Sequence, residues 1–368
     1  MRLCCFLNYA PLYRRAIFAR LDEAFDCRFY FGKRPEGKGA QGIEKMDYDF
    51  FRHRPVEFRN VKRGPLLWRS KIIRLALGCY DAYLLTWDTC LSYPLFMLIA
   101  RLRGKKIYVW GHGLKHLKHR GAPLDRWMLR RVDGFFIYGR KGKERMVELG
   151  MEPDKIHVIS NSLTGRIDRS DDSRLADTVI SDHFGNHLPT MLFIGRLTAV
   201  KKLDMIFRAA AINRVHGLDY NILIIGDGPE RPALERLSRE LGLEERTWMY
   251  GACYDEQTLN RLIYNCDLCC SPGNVGLTAL HALSYGVPVI THDDFETQMP
   301  EYEAIIPGQT GALFERDNVE AMASAIEEWL RSHDTTEARQ QVRADCHRAI
   351  NAEWNADSQI EVFKRFIR

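Results

Sequence analysis

Three short stretches in the second half of the chain set glycines, cations and apolar runs where a polyphosphate can be held. In "FIGRLTAVKKLDMIFRAA" an apolar run ends at Gly195, and Arg196 and Lys201 flank the start of the helix expected next. Backbone N–H groups at a helix start, beside two cations, suit a diphosphate. A solvated basic turn would read the same way. In "IIGDGPERPALERL", Gly226 and Gly228 bracket Asp227, which fits a phosphate turn and equally a plain turn with a helix cap. The third stretch, "SPGNVGLTALHALSYGVPVI", places Gly273, Asn274, Val275 and Gly276 ahead of a helix starting near Leu277. Its glycines permit close backbone approach, and no Asp or Glu occurs between Ser271 and Ile290. The first half adds His112, at the end of the apolar run in "WGHG", where a structural or surface imidazole is the alternative. Tyr13, Arg14 and Arg15, at a helix start in "NYAPLYRRAIFARL", can meet an acceptor phosphate. Asn161 in "ISNS" reads as structural.

These residues need strands and helices to position them. Both halves alternate short apolar runs with amphipathic stretches, the pattern of parallel βαβ units. "RLCCFLN", "DAYLLTW", "KKIYVWGHG", "DGFFIYG" and "IHVISNS" read as strands of one sheet. "TMLFIGRL", "YNILIIGDGP", "WMYGA", "CDLCCSP" and "VPVITHD" read as strands of a second. Between them lies a polar stretch rich in Asp and Ser, "LTGRIDRSDDSRLADTVISDHFGNHLP". The expected fold class is α/β, with two doubly wound Rossmann-like domains facing each other across a cleft. The expected boundaries are 1–168, 169–352, and a C-terminal helix over 353–368 that can pack back on the first domain. Ligands of such sheets bind at the carboxyl ends of the strands.

Charge is divided unevenly. Residues 1–170 carry 34 Lys+Arg against 17 Asp+Glu, and the remainder 19 against 31. A basic half of this kind meets something anionic: a membrane surface, a phosphate-bearing lipid or nucleic acid. Nucleic acid is set aside for want of a stacking platform or reading motif. "VKRGPLLWRSKIIRLALGCY" interleaves cations with Leu, Trp and Ile at helical spacing, which fits an interfacial helix or a solvated face over a core stripe. The longest apolar run, near "CLSYPLFMLIA", falls short of the roughly 20 residues a bilayer span needs. The N-terminus has no signal-peptide pattern, so the expected location is cytoplasmic, peripheral on the inner face of the membrane. Cys4, Cys5, Cys266, Cys269 and Cys270 lie in apolar runs and read as core thiols, with no second Cys or His pair at zinc-site spacing.

The order and spacing of the three glycine turns resemble the retaining glycosyltransferases of family 4, which have the glycosyltransferase-B fold. There "GRL" followed by Lys, then "GDGP", then a "GLxxLEAMxxGxPVI" segment succeed one another as here, with the resemblance best over roughly residues 105–330. The resemblance implies that Arg196 and Lys201 hold a donor diphosphate. It puts His112 near the sugar and the reaction centre, and the strand end over 250–254, with Tyr254, near the base. It also implies retention at the anomeric carbon without a metal or other cofactor; "RSDDSR" in the linker is no clear donor-metal pair. The family usually carries two glutamates seven residues apart in the third segment, the first for donor-sugar hydroxyls and the second for the ribose. Gly273 and His281 stand at those positions. His281 can still hydrogen-bond a ribose hydroxyl, or be a helix residue packed beside the linker. The N–H groups of Val275 to Leu277 can face phosphate and sugar oxygens.

The expected function is therefore transfer of a sugar from a UDP- or GDP-sugar to a glycan acceptor carried on a lipid pyrophosphate. The alternative is a catalytically inactive sugar-nucleotide binder of the same fold.

Overall fold

The computed structural model describes residues 1–33, 46–63, 66–87, 90–113, 127–165 and 177–368. The chain divides into two compact units, one made of residues 1–165 and 355–368 and the other of residues 166–354.

The first unit is built on a seven-stranded, all-parallel sheet. Its strands are β1 (Arg2–Leu7), β2 (Asp26–Gly32), β3 (Val56–Phe58), β6 (Ala82–Thr86), β7 (Lys106–Gly111), β8 (Gly134–Ile137) and β9 (Ile156–Val158). Their order is β3-β2-β1-β6-β7-β8-β9, so the winding reverses between β1 and β6. Strands such as "RLCCFL" and "GFFI" are apolar on both faces because helices cover both sides of the sheet. One face packs against helix Arg15–Ala24 and the C-terminal helix Ala356–Phe366, with Phe18, Trp110, Phe136 and Phe363 in one cluster. The other packs against helices Ile72–Ala76 and Tyr93–Leu102 through Phe96, Met97, Ile107 and Phe135. The C-terminal helix is fixed to the first unit. Its Phe363 ring lies 4.5 Å from Phe136 and 5.3 Å from Trp110, and its Asp357 accepts from Arg20 Nε at 2.7 Å.

One local expectation fails. The stretch over 61–80 does not form a helix along its length. Strands β4 (Asn60–Arg63) and β5 (Leu66–Arg69) pair antiparallel, and only Ile72–Ala76 is helical. A Gly-Pro pair stands between the two strands in the sequence, and proline lacks the N–H a helix interior requires.

The second unit repeats the plan with six parallel strands: β10 (Thr190–Ile194), β11 (Asn221–Ile225), β12 (Thr247–Gly251), β13 (Leu268–Ser271), β14 (Val289–His292) and β15 (Gly311–Phe314). Their order is β12-β11-β10-β13-β14-β15, with the reversal between β10 and β13. Helices Asp204–Val215 and Val319–Ser332 pack together on it. Asn318 caps the second of these by accepting from Ala321 N–H at 2.9 Å. Cys266, Cys269 and Cys270 are buried here, as Cys4 and Cys5 are in the first unit, and burial pushes all five thiols up from their ordinary value. They behave as small apolar core residues.

Candidate active site

The three glycine turns of the second unit leave the carboxyl ends of β10, β11 and β13, the edge where the winding reverses. They interlock through their backbones. Gly195 N–H donates to the Ile225 carbonyl at 2.9 Å, and Leu197 N–H to the Asp227 carbonyl at 3.0 Å. Gly226 has φ +151°, and a Cβ there would stand 1.8 Å from the Gly195 carbonyl oxygen, so only glycine lets the two turns cross. Thr278, in the first turn of helix Leu277–Ser284, donates its hydroxyl to the Ile194 carbonyl at 2.8 Å and fixes that helix start against the end of β10.

The loop over 273–277 is held from two sides. On one, the 3₁₀ turn Ala199–Lys201 lies directly against Gly273, whose N–H donates to the Lys201 carbonyl at 3.0 Å. A Cβ at Gly273 would stand 2.1 Å from the Val200 carbonyl oxygen. On the other side, Gln298 accepts from Val275 N–H at 2.7 Å and anchors its own amide to Thr291 and the His292 carbonyl. Met299 N–H donates to the Val275 carbonyl at 3.2 Å. The expectation that the Val275 N–H faces a ligand is thereby corrected: Gln298 occupies it, and Lys201 occupies that of Gly273. The N–H groups at the very start of the helix, those of Leu277 and Thr278, have no acceptor within the helix.

Lys201 Nζ reaches back into this loop and donates to the Asn274 carbonyl at 2.6 Å. Burial, with the nearby Arg196 cation adding to it, pulls its pKa from 10.5 to about 8, and Glu301 acts in the opposite sense. Glu301 is buried on the 3₁₀ turn Pro300–Ala304, which packs on helix Leu277–Ser284. Arg196 is exposed. His281 lies on the same helix, and burial pushes its pKa down to about 4, so its imidazole is neutral. Tyr254, beyond the end of β12, is exposed.

A second constellation forms at the carboxyl ends of β1, β7 and β8 in the first unit. Arg14 closes a 3₁₀ turn after β1, donates to the Tyr138 hydroxyl at 2.6 Å and lies over the Trp110 ring at 5.0 Å. The Tyr138 ring in turn meets His112 edge-on, centroids 4.9 Å apart. Arg14 and His112 are thus brought together through Tyr138. Arg15 instead points over Phe50 at 5.3 Å and is exposed, while Tyr13 is half-buried. Tyr138, Thr278, Gln298 and Glu301 escape sequence reasoning. The "PLYRRA" cation and the tyrosine after "FFI" lie 124 residues apart, and nothing local marks their pairing. Asn161 is buried and accepts from Ser162 N–H at 3.0 Å, a structural role.

Two doubly wound sheets, the second ending in interlocked glycine turns around a half-buried lysine, define the class. This is a glycosyltransferase of the glycosyltransferase-B fold. Residues 182–345 match the model of the family Glycosyl transferases group 1. An alpha-D-kanosaminyltransferase from Streptomyces kanamyceticus is 24% identical over 290 residues, 73% of this chain and 73% of its own. The lipopolysaccharide 1,6-galactosyltransferase of Salmonella typhimurium is 26% identical over 215 residues, 56% of this chain and 54% of its own. Among solved structures, a lipopolysaccharide outer core galactosyltransferase in its apo form superposes with a TM-score of 0.70 at 18% identity, covering 100% of this chain and 99% of its own. Anabaena HepE in complex with UDP gives 0.71 at 15%, with the same coverage.

Proposed function

We propose that the chain transfers a sugar, with retention, from a UDP- or GDP-sugar to a glycan acceptor carried on a lipid pyrophosphate, at the cytoplasmic face of a membrane, in polysaccharide or glycoconjugate assembly. The observation that carries this reading is the half-buried Lys201 ammonium, held against the Asn274 carbonyl between two glycine turns at the strand ends. A cation kept there at a cost in solvation suits a diphosphate, and solved neighbours bind UDP and UDP-glucose.

In this reading the bond between the anomeric carbon and the diphosphate oxygen breaks, and the nucleoside diphosphate leaves with the electron pair. Lys201, Arg196 and the helix start at Leu277 take up the growing negative charge, so no metal is called upon. An acceptor hydroxyl attacks the same face of the sugar and gives its proton to the departing phosphate oxygen. His112, at the strand end beside Tyr138 and Arg14, orients the reacting groups of the first unit. Gly273 has no side chain to read sugar hydroxyls, so sugar selection falls to other groups. Neutral His281 faces the ribose as donor or acceptor.

The test is calorimetry with UDP, GDP and their sugars, joined to a turnover assay with lipid-linked acceptors. Micromolar binding of one nucleotide, with product of unchanged anomeric configuration, supports the reading. Tight binding without turnover across the panel supports the inactive binder, which the close packing at Gly273 favours as the second reading. Absence of nucleotide binding defeats both.

A further inference from the structure

Helix Tyr93–Leu102, "YPLFMLIARL", contains one charged residue, Arg101. A helix apolar all round is ordinarily enclosed. Here Phe96, Met97 and Ala100 face the core, yet Leu95, Leu98 and Leu102 on the opposite side are 46%, 54% and 79% exposed. They stand three and four residues apart and form one stripe. The neighbouring helix Ile72–Ala76 packs beside it and ends at Leu77, 58% exposed. Arg103 ties the two together by donating to the Gly78 carbonyl at 3.4 Å.

Cations rim the stripe. Arg101 donates to the Arg131 carbonyl at 2.8 Å, and Arg131 lies 4.1 Å over the ring of exposed Trp127. Arg74, Arg103 and Arg130 are exposed as well. From Asp88 to Asp125 the sequence has no carboxylate between and seven Lys or Arg. Asp133 accepts from Lys106 and Ile107, and Asp81 from the Arg2 N–H. Apolar side chains and an amphipathic indole ringed by unopposed arginines match one occupant, a bilayer bearing anionic lipid headgroups. A protein partner of ordinary surface would leave several of these arginines unopposed.

We infer that the face formed by Leu77, Leu95, Leu98, Leu102 and Trp127 docks the first unit onto an anionic membrane. No helix among the described residues is long and apolar enough to cross one, so the contact is peripheral. This deepens the membrane part of the proposed function and moves it from the basic stretch over 61–80 to helix Tyr93–Leu102. It uses no residue of the donor loop, so the two readings fail separately.

The experiment is co-sedimentation of the full chain with vesicles of phosphatidylcholine, with and without 30% phosphatidylglycerol, at about 0.1 and 0.5 M salt. Wild type should bind the anionic vesicles, at least tenfold less well at the higher salt, and neutral vesicles weakly. Leu98→Glu with Leu102→Glu should lose binding at least tenfold while keeping the wild-type melting temperature and UDP affinity. Arg74→Glu with Arg130→Glu should lose the salt-sensitive part. No vesicle binding by wild type, or undiminished binding by the leucine variant, overturns the inference. Equal binding to neutral vesicles overturns its anionic part. A dimer dissolved by the leucine substitutions, with no vesicle binding, would assign the face to a second copy of the chain instead. Lost UDP binding with vesicle binding intact would overturn the donor reading and leave this one standing.

Discussion

If the proposed function holds, the half-buried Lys201 makes nucleotide binding depend on pH in a way that can be worked out beforehand. In the protein without ligand its pKa is about 8 instead of 10.5, chiefly through burial and then through Arg196, with Glu301 opposing. A diphosphate beside the ammonium restores the charged form and lifts the pKa toward its ordinary value. At pH 7 the lysine is already charged and binding costs no proton. At pH 9 about nine-tenths of the protein must first take one up, so UDP affinity should fall about tenfold between those values. At pH 8 about half a proton should be absorbed per UDP bound. The ceiling on what the ligand regains is about 3 kcal/mol, at about 1.4 kcal/mol per pH unit of restored pKa.

The same group fixes the sign of a stability effect. Below pH 8 both folded and unfolded chains hold the proton, and the folded state bears the cost of the half-buried charge. Between about 8 and 10.5 the folded state has released its proton while the unfolded state keeps it, so this term moves toward stability as pH rises. UDP should cancel that gain. Calorimetry in buffers of different ionisation enthalpy counts the protons, and Lys201→Met removes the group without adding a new charge. The variant should bind UDP at least tenfold more weakly at pH 7, with an affinity flat from pH 7 to 9 once the nucleotide's own titration is subtracted. Wild type taking up no proton at pH 8, or Lys201→Met retaining the full pH dependence, would refute the reasoning.

The other expectations are structural and catalytic. Gly273→Ala should cost about 1–3 kcal/mol, because its Cβ meets the Val200 carbonyl at 2.1 Å, and Gly273→Glu should not recover a carboxylate function; thermal unfolding and UDP affinity read both, and an unchanged melting temperature would contradict the packing. Tyr138→Phe leaves the Arg14 guanidinium without its hydroxyl acceptor and should lower stability by about 1–3 kcal/mol in urea unfolding, with turnover falling further than nucleotide affinity, since the residue lies in the other unit. Phe363→Ala, emptying a fully buried site between Trp110 and Phe136, should cost about 3–5 kcal/mol, whereas Asp357→Asn, removing a part-exposed ion pair, should cost under about 1 kcal/mol; equal effects would show that the C-terminal helix is held by charge instead of packing. His281 stays neutral above about pH 5, so His281→Ala should weaken UDP binding by the same few-fold factor at pH 6 and pH 8, and a loss seen only at one of them would contradict the neutral imidazole.

What the sequence made legible follows from how far apart the determinants lie. Buried parallel strands announce themselves locally, because "CCFL", "LFI" and "ILII" are apolar on both faces, and the last two end at glycine. The fold class and the three glycine turns could therefore be read in order along the chain. The hairpin over 60–69 was hidden by its own side chains, since cations spaced among Leu and Trp satisfy a helical period and a short two-stranded ribbon alike. The site's second layer was hidden by distance. Gln298 and Glu301 lie beyond β14, in "TQMPEYEA", a run with no phosphate-turn signature, and they count only because the fold lays that turn over the Gly273 loop. The space beside Gly273 is filled by the Val200–Lys201 backbone, and a buried carboxylate, Glu301, comes within electrostatic reach of Lys201 from the opposite strap.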